Sequence, residues 1–251
     1  MSPFSLKDRS ALVTGGAVNI GRAIVEALIE AGARVAIGYR SHEEDARALA
    51  DELGEMAHAV SIDVCSEASI ETAIGDVEAC FGGLDILVNN AGIFSLLPQS
   101  EVSAEEWDRI FQVNSRGVFL GSKVGAAAMR KRGGGAIVNI ASINGFHPGF
   151  GNTAHYDASK GAVVAYTRSL AGELAPDKIR VNGVAPGLVD SPGLREFFPD
   201  LATMVEERTP SKTLTTAKDV AQTVVFLASS AAQQMTGETV EAVRLGYDGN
   251  A

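Results

Sequence analysis

Tyr156 and Lys160 stand four residues apart in Tyr156-Asp157-Ala158-Ser159-Lys160, inside a segment of helical period. On a helix that spacing brings both side chains to one face, with Cβ atoms about 5–6 Å apart. An ammonium beside a phenol stabilises the phenolate and lowers its pKa from the usual ~10. Such a phenol suits the protonation of a developing alkoxide, or the reverse abstraction. A lone pair of this kind arises by chance on many exposed helices, so its meaning depends on what converges beside it. Ser142 lies just past the apolar run Ala136–Ile140, close to where the helix holding Tyr156 begins. Its hydroxyl could orient a carbonyl oxygen; the plain alternative is a turn serine.

A second group of residues suits a phosphate. Thr14-Gly15-Gly16-Ala17-Val18-Asn19-Ile20-Gly21 closes an apolar run and opens a helical one. Glycines at such a junction let backbone N–H groups approach a pyrophosphate, and the helix N-terminus adds the positive end of its dipole. The spacing is TGxxxNxG, with Asn19 where a second glycine is expected, and Asn tolerates left-handed backbone angles. The competing reading is an ordinary strand-to-helix turn. The next apolar run ends Ile37-Gly38-Tyr39-Arg40-Ser41, without the carboxylate that would bind the 2′-hydroxyl of NAD. Arg40 suits the 2′-phosphate of NADP, and Tyr39 or Arg40 could lie against adenine. The reading therefore favours NADP(H) and leaves NAD(H) possible; Glu43 and Glu44 are the opposing charges. The alternative makes Arg40 a solvated charge and Ser41, with Glu44, a capping box for the next helix.

These residues need a frame that brings strand ends together. Strand candidates are Ala11–Thr14, Arg34–Tyr39, Ala57–Ile62, Asp85–Val88, Ala136–Ile140, Ile179–Val184 and Thr239–Val243. Helical period predicts Ile20–Ala31, Glu43–Leu53, Ser66–Phe81, Ala104–Met129, Thr153–Leu174 and Ala217–Ser229, with a second capping box at Ser103 and Glu106. Strands apolar on both faces, alternating with helices, predict an α/β fold: one Rossmann-type, doubly wound parallel sheet of about seven strands with helices on both faces. Neither a linker nor a repeat divides the 251 residues, so a single domain is expected, with 27 glycines gathered at the ends of apolar runs. The formal charge of −10, from 21 Lys+Arg and 31 Asp+Glu, argues against nucleic-acid binding. No apolar stretch is long enough for a membrane span. The polar N-terminus lacks a signal core, and Cys65 and Cys80 form neither a CxxC pair nor a zinc set, so a cytoplasmic protein is expected.

With Asn89-Asn90-Ala91-Gly92 after the fourth strand, the motifs run from residue 14 to about 191, and the chain resembles the classical short-chain dehydrogenase/reductase family over essentially its whole length. The matching residues are TGGAVNIG, Asp63-Val64, NNAG, Asn114 in QVNSRG, Ser142, YDASK and Pro186-Gly187. The resemblance implies Tyr156 as acid or base and Ser142 as holder of the substrate oxygen. Lys160 would bind the nicotinamide ribose and depress the Tyr156 pKa. Asn114 would keep a water behind Lys160, or merely bend its helix. Asp63 would meet adenine, or cap the following helix. Asn89, Asn90, Ala91 and Gly92 would line the adenosine ribose and steady the sheet centre. Gly15, Asn19, Ile20, Gly21, Tyr39, Arg40, Ser41 and Val64 complete the adenosine and phosphate end. Pro186, Gly187, Val189 and Ser191 would lie by the nicotinamide, with Tyr156 and Lys160.

The chain departs from that pattern at Asn19, in one extra residue between Ser142 and Tyr156 that predicts a bulge at Gly149-Phe150-Gly151, and in the C-terminal turn Val243-Arg244-Leu245-Gly246. The family grows its substrate lid at about 188–211, here apolar at Leu194, Phe197, Phe198, Leu201 and Met204 between Pro192, Pro199 and Pro210. Phe94, Asn144, Phe150, Phe197 and Phe198 are the substrate candidates, with His147 and Asn152 as further pocket candidates. No metal set forms around His147 and His155, and His155 is read as a neighbour of Tyr156. The expected activity is NADP(H)-dependent hydride transfer between nicotinamide and a small-molecule ketone, aldehyde or secondary alcohol. The alternatives are C=N or C=C reduction and a non-catalytic NADP(H)-binding regulator. A homo-oligomer, tetramer or dimer, is expected on the helices at 104–129 and 153–174.

Overall fold

Leu12 and Val13 are consecutive, belong to the cores on opposite faces of one strand, and are both fully buried. A strand needing cover on both faces belongs inside a layered α/β stack. The computed structural model describes residues 2–149, 151–191, 194, 195, 198, 200–208 and 212–243. Strands β1 (Ser10–Thr14), β2 (Arg34–Tyr39), β3 (Ala57–Ser61), β4 (Ile86–Asn89), β5 (Gly135–Ile140), β6 (Ile179–Pro186) and β7 (Thr239–Ala242) form one sheet in the order β3-β2-β1-β4-β5-β6-β7. Every neighbouring pair is parallel. This is the expected doubly wound arrangement, with the reversal of strand order between β1 and β4.

The helices are α1 (Asn19–Glu30), α2 (Glu43–Leu53), α3 (Glu67–Phe81), α4 (Ala104–Phe111), α5 (Gly117–Arg132), α6 (Ala154–Leu174), α7 (Leu201–Arg208) and α8 (Ala217–Ala228). Helices α1 and α8 cover one face of the sheet through Ile24, Leu28, Val220 and Leu227. The other face is covered by α3, α5 and α6 through Ile70, Val77, Met129 and Leu170. No helix among the described residues is long and apolar enough to cross a membrane.

A polar seam runs through the middle of this apolar stack. Asn89 Nδ2 donates to Ser122 Oγ at 3.1 Å and to Asn139 Oδ1 at 2.9 Å. Asn139 Nδ2 donates to Thr167 Oγ1 at 2.9 Å, which donates to the Val163 carbonyl at 2.8 Å. Buried amides need such partners, and here they stitch β4 and β5 to α5 and α6.

Three sequence expectations change. The single helix over 104–129 is interrupted by a wider π turn at Gln112–Arg116, with Asn114 fully buried in it. The wide turn lets the Asn114 amide reach the Ile93 backbone in both directions, at 2.8 and 2.9 Å. Ser41 does not cap α2: His42 occupies the cap position without a side-chain bond, and Glu43, Glu44 and Asp45 fill the first turn instead. Carboxylates there complement the helix dipole without a hydroxyl cap. Ser103 does accept the Glu106 N–H, at 3.1 Å, but the Glu106 carboxylate is engaged by Arg109 and Ser95. Phe150, Phe197, Pro192, Pro199, Pro210, the Met204 side chain and the C-terminal turn at 244–246 lie outside the described residues.

Candidate active site

At the reversal point the chain leaves β1 and β4 in opposite directions, which opens a crevice at their carboxyl ends. Thr14 and Asn90 hold that crevice in shape. The Thr14 hydroxyl accepts the N–H groups of Asn90 and Ala91, both at 3.0 Å. The Asn90 amide donates to the carbonyls of Thr14 and Gly15 at 2.9 and 3.0 Å. Gly15 takes φ +63° and Asn19 takes φ +51°, so Asn19 does adopt the left-handed angle its position asks for. A Cβ at Gly21 would collide with the Gly15 carbonyl oxygen, and one at Gly15 would press on Ala91 and Asn90. Helix α1 opens at Val18 with no side-chain cap and no acidic residue in its first turn. A bare helix start behind a cradle that any Cβ would fill fits a pyrophosphate.

From this loop a cavity of about 620 Å³ runs between the strand ends. Gly15, Asn19, Ile20, Gly21, Tyr39, Arg40, Ser41 and Val64 line one end, and Asn90, Ala91 and Gly92 the middle. Arg40 is exposed and enters no ion pair among the described residues. Glu43 is turned onto Arg47 at 2.8 Å, and neither it nor Glu44 lines the cavity. Asp63 does not line it either, and its Oδ1 accepts the Cys65 N–H at 2.9 Å. The cap of α3 is Ser66, so Asp63 shapes the turn before that helix. The sequence reading passed over Gly38, His42 and Ile62 here; each is one residue from a named neighbour, at a strand end that it resolved only as a run.

Tyr156, Ser142 and Asn144 line the other end. Tyr156 sits in the first turn of α6, with the Ser142 side chain as the polar neighbour of its hydroxyl. Burial pushes the phenol up to about 12; the Ser142 side chain pulls the other way, and the Asp157 charge adds to the rise. The net direction is upward, and Lys160 is not among its causes. Lys160 Nζ lies 5.9 Å from the Tyr156 ring centroid and donates to the Ile140 carbonyl at 2.9 Å. Burial brings Lys160 itself down to about 8. It stands behind Tyr156, off the cavity wall. Asn114 lies behind it in turn: its amide hydrogens go to the Ile93 carbonyl and to Ser159 Oγ, at 2.9 and 3.1 Å. A Cβ on Gly92 would stand 3.3 Å from Asn114 Oδ1 and 3.5 Å from Lys160 Nζ, so this glycine keeps the space beside the lysine open.

Phe94 stands edge-on to Tyr156, ring centroids 4.9 Å apart. Phe94, Gly187, Val189, Ser191 and Phe198 line the cavity, whereas Pro186 closes β6 behind it. Of the further candidates, His147 turns to Glu241 at 3.1 Å and Asn152 serves a turn at φ +57°, and neither lines the cavity. Ile93, Val113, Ile143 and Leu188 also line this end. They are ordinary apolar residues, and only the fold puts them there.

A phosphate cradle at the reversal point of a parallel sheet, joined by one cavity to a serine and a tyrosine with a lysine behind them, defines a dinucleotide-dependent oxidoreductase site. A family model described as enoyl-(acyl carrier protein) reductase matches residues 15–247. The chain is 39% identical over 237 residues to 3-oxoacyl-(acyl-carrier-protein) reductase FabG of Escherichia coli (strain K12), covering 94% of this chain and 96% of that one. It is 38% identical to cyclopentanol dehydrogenase of Comamonas sp. (strain NCIMB 9872) over 249 residues, 98% and 99% of the two chains. Its fold matches a crystal structure of gluconate 5-dehydrogenase from Burkholderia cenocepacia J2315 in complex with NADP and tartrate, with TM-score 0.88, 33% identity and 95% of each chain covered. The chain belongs to the short-chain dehydrogenase/reductase family, whose enzymes transfer hydride with a nicotinamide cofactor.

Proposed function

We propose that this chain is an NADP(H)-dependent carbonyl reductase and alcohol dehydrogenase acting on small, uncharged, largely apolar ketones or aldehydes and the matching secondary alcohols. The observation that carries the reading is one cavity with Tyr156 and Ser142 at one end and, at the other, Arg40, which enters no ion pair among the described residues. A bound nicotinamide dinucleotide supplies or accepts the hydride. Ser142 holds the carbonyl oxygen and Tyr156 gives it the proton, so that hydride and proton together convert C=O to CH–OH. Lys160, buried beside the phenol, offsets the charge left on the Tyr156 oxygen. Gly15, Asn19, Ile20, Gly21, Tyr39, Arg40, Ser41, Val64, Asn90, Ala91 and Gly92 would hold the adenosine and phosphates, with Arg40 facing a 2′-phosphate. Gly187, Val189 and Ser191 would hold the nicotinamide.

The substrate end argues for an uncharged substrate. Its described lining is Phe94, Ile143, Leu188, Leu194 and Phe198 with Asn144 as a polar neighbour, and the nearby Arg195 is already paired with Asp190 at 2.8 Å. Among the described residues, no cation on that wall awaits a carboxylate. Nicotinamide fluorescence titrated with NADPH and NADH in parallel tests the cofactor assignment, with tighter NADPH binding expected. A ketone series with NADPH then tests the reaction. Among these a cyclic enone separates carbonyl reduction, which gives the allylic alcohol, from the C=C reduction that the family model's description would favour.

The expected homo-oligomer has a surface to form on. Phe119 is 44% exposed and meets Tyr166 edge-on at 6.3 Å, beside a shallow groove shared by α5 and α6. Phe119→Glu is expected to leave a monomer in light scattering with its NADPH binding intact. The unpaired Cys65 and Cys80 support placement in a reducing cytoplasm.

A further inference from the structure

The residues on either side of Tyr156 in sequence point to different loops. His155 is fully buried, and its Nε2 lies 2.6 Å from Ser95 Oγ, which lies 2.6 Å from Glu106 Oε1. Arg109 holds Glu106 through two bonds of 2.7 and 2.8 Å, and with Ser95 keeps that carboxyl down at about 2. A carboxylate only accepts, so the Ser95 proton points to Glu106 and the Ser95 oxygen accepts from His155 Nε2–H. His155 Nδ1 has no partner among the described residues. An apolar residue of the same size would avoid that desolvation cost, so the bond to Ser95 is what a histidine brings to this position. Ser95 adjoins Phe94, the ring standing edge-on to Tyr156. A second tie, from Leu97 N–H to the Asn152 carbonyl at 2.9 Å, fastens the same loop to the segment before α6.

Asp157 does the corresponding work on the other side. Its Oδ1 accepts from Asn144 Nδ2 at 2.7 Å, and its Oδ2 from Gly149 N–H and Thr153 Oγ1, both at 3.0 Å. The Asn144 N–H in turn donates to Ser142 Oγ at 3.2 Å. The cluster is filled to the point that a Cβ on Gly149 would collide with Asn144 and Thr153.

We infer that His155 and Asp157 are paired positioning residues, one for each wall of the substrate cleft: His155 through Ser95 sets the Phe94 wall, and Asp157 through Asn144 sets the Ser142 wall. The first turn of α6 thus carries the acid or base and both anchors that set the cleft width around it. The assignment rests on reading this cavity as the carbonyl site. Because a displacement of about 1 Å can cost about a hundredfold in rate, anchors of this kind decide which carbonyl substituents fit.

The test measures kcat and KM with NADPH over ketones graded in size, alongside NADPH affinity and melting temperature. Ser95→Ala and His155→Leu are each expected to shift kcat/KM by about tenfold toward the larger ketones, and the double variant to go no further than either. His155→Gln, which keeps an N–H for Ser95, restores the wild-type ratio. Asn144→Ala and Asp157→Asn are each expected to lower kcat by about tenfold on all ketones and to lose that effect in a Ser142→Ala background, since linked residues are not additive. A size ratio that does not move, or losses that simply multiply, overturns the inference. If a variant of His155 or Asp157 loses NADPH binding through misfolding, Ser95→Ala and Asn144→Ala, which leave α6 intact, decide the question. A wild-type protein inactive on every ketone overturns the reading of the site and this inference with it. An active wild type with silent variants overturns this inference alone.

Discussion

The two ends of the cavity are built by different means. Around Gly15, Asn19 and Gly21 the wall is backbone, shaped by positive φ angles and missing Cβ atoms and steadied by Thr14 and Asn90. Around Tyr156 it is side chain, fixed by a relay of hydrogen bonds: Ser142 by the Asn144 backbone N–H, the Asn144 amide by Asp157, and Ser95 by His155 and Glu106. A backbone wall suits a ligand that is always the same, such as a pyrophosphate. A wall of linked side chains can be retuned by single substitutions.

If the two ends are independent in this way, variants should separate them cleanly. Tyr156→Phe is expected to lower turnover about a thousandfold or more and leave NADPH affinity within about twofold; equal loss of both in steady-state and titration assays would dissolve the distinction. Gly21→Ala should weaken both cofactors by at least about tenfold, because the collision with the Gly15 carbonyl does not depend on the 2′ substituent. Arg40→Ala should weaken NADPH about tenfold to a hundredfold, as the loss of a charge-assisted bond would, and leave NADH nearly unchanged. A separate effect, read on stability alone, concerns Lys160, held at about 8 in the fold against the ordinary 10.5. Between those values the unfolded chain binds the extra proton, so stability rises with pH. Relative to Lys160→Met, the wild type should therefore gain resistance to urea between pH 8 and 10.5 and gain nothing below pH 8.

The same contrast explains what could be read before the fold was known. The phosphate loop lies in eight consecutive residues, and the conformation asked of Asn19 is a local property of its backbone. The strands were legible for a similar reason, because burial on both faces leaves short β-branched runs. Tyr156, Ser142 and Lys160 were legible as types and spacings, but the pKa of Tyr156 was not. It depends on burial and on Asp157, and the lysine turns its ammonium to Ile140. His155 and Ser95 meet across 60 positions and Asp157 and Asn144 across 13, so no local pattern announces either pair. Ser41 shows the converse, where a fitting local pattern lost to a helix start one residue later.

The π turn at Gln112–Arg116 has a consequence for anyone who edits this chain. It is a phase slip: α4 and α5 run end to end without sharing one angular register. Deleting one residue there would restore regular winding and leave α4 and α5 near their present bearings, because the wide turn fits one extra residue into a single turn. The cost falls on Asn114, which would lose the wide turn that brings its amide to Ile93 and Ser159. Chimeras between this chain and its relatives are therefore best joined outside this segment, with the slip inherited whole from one parent.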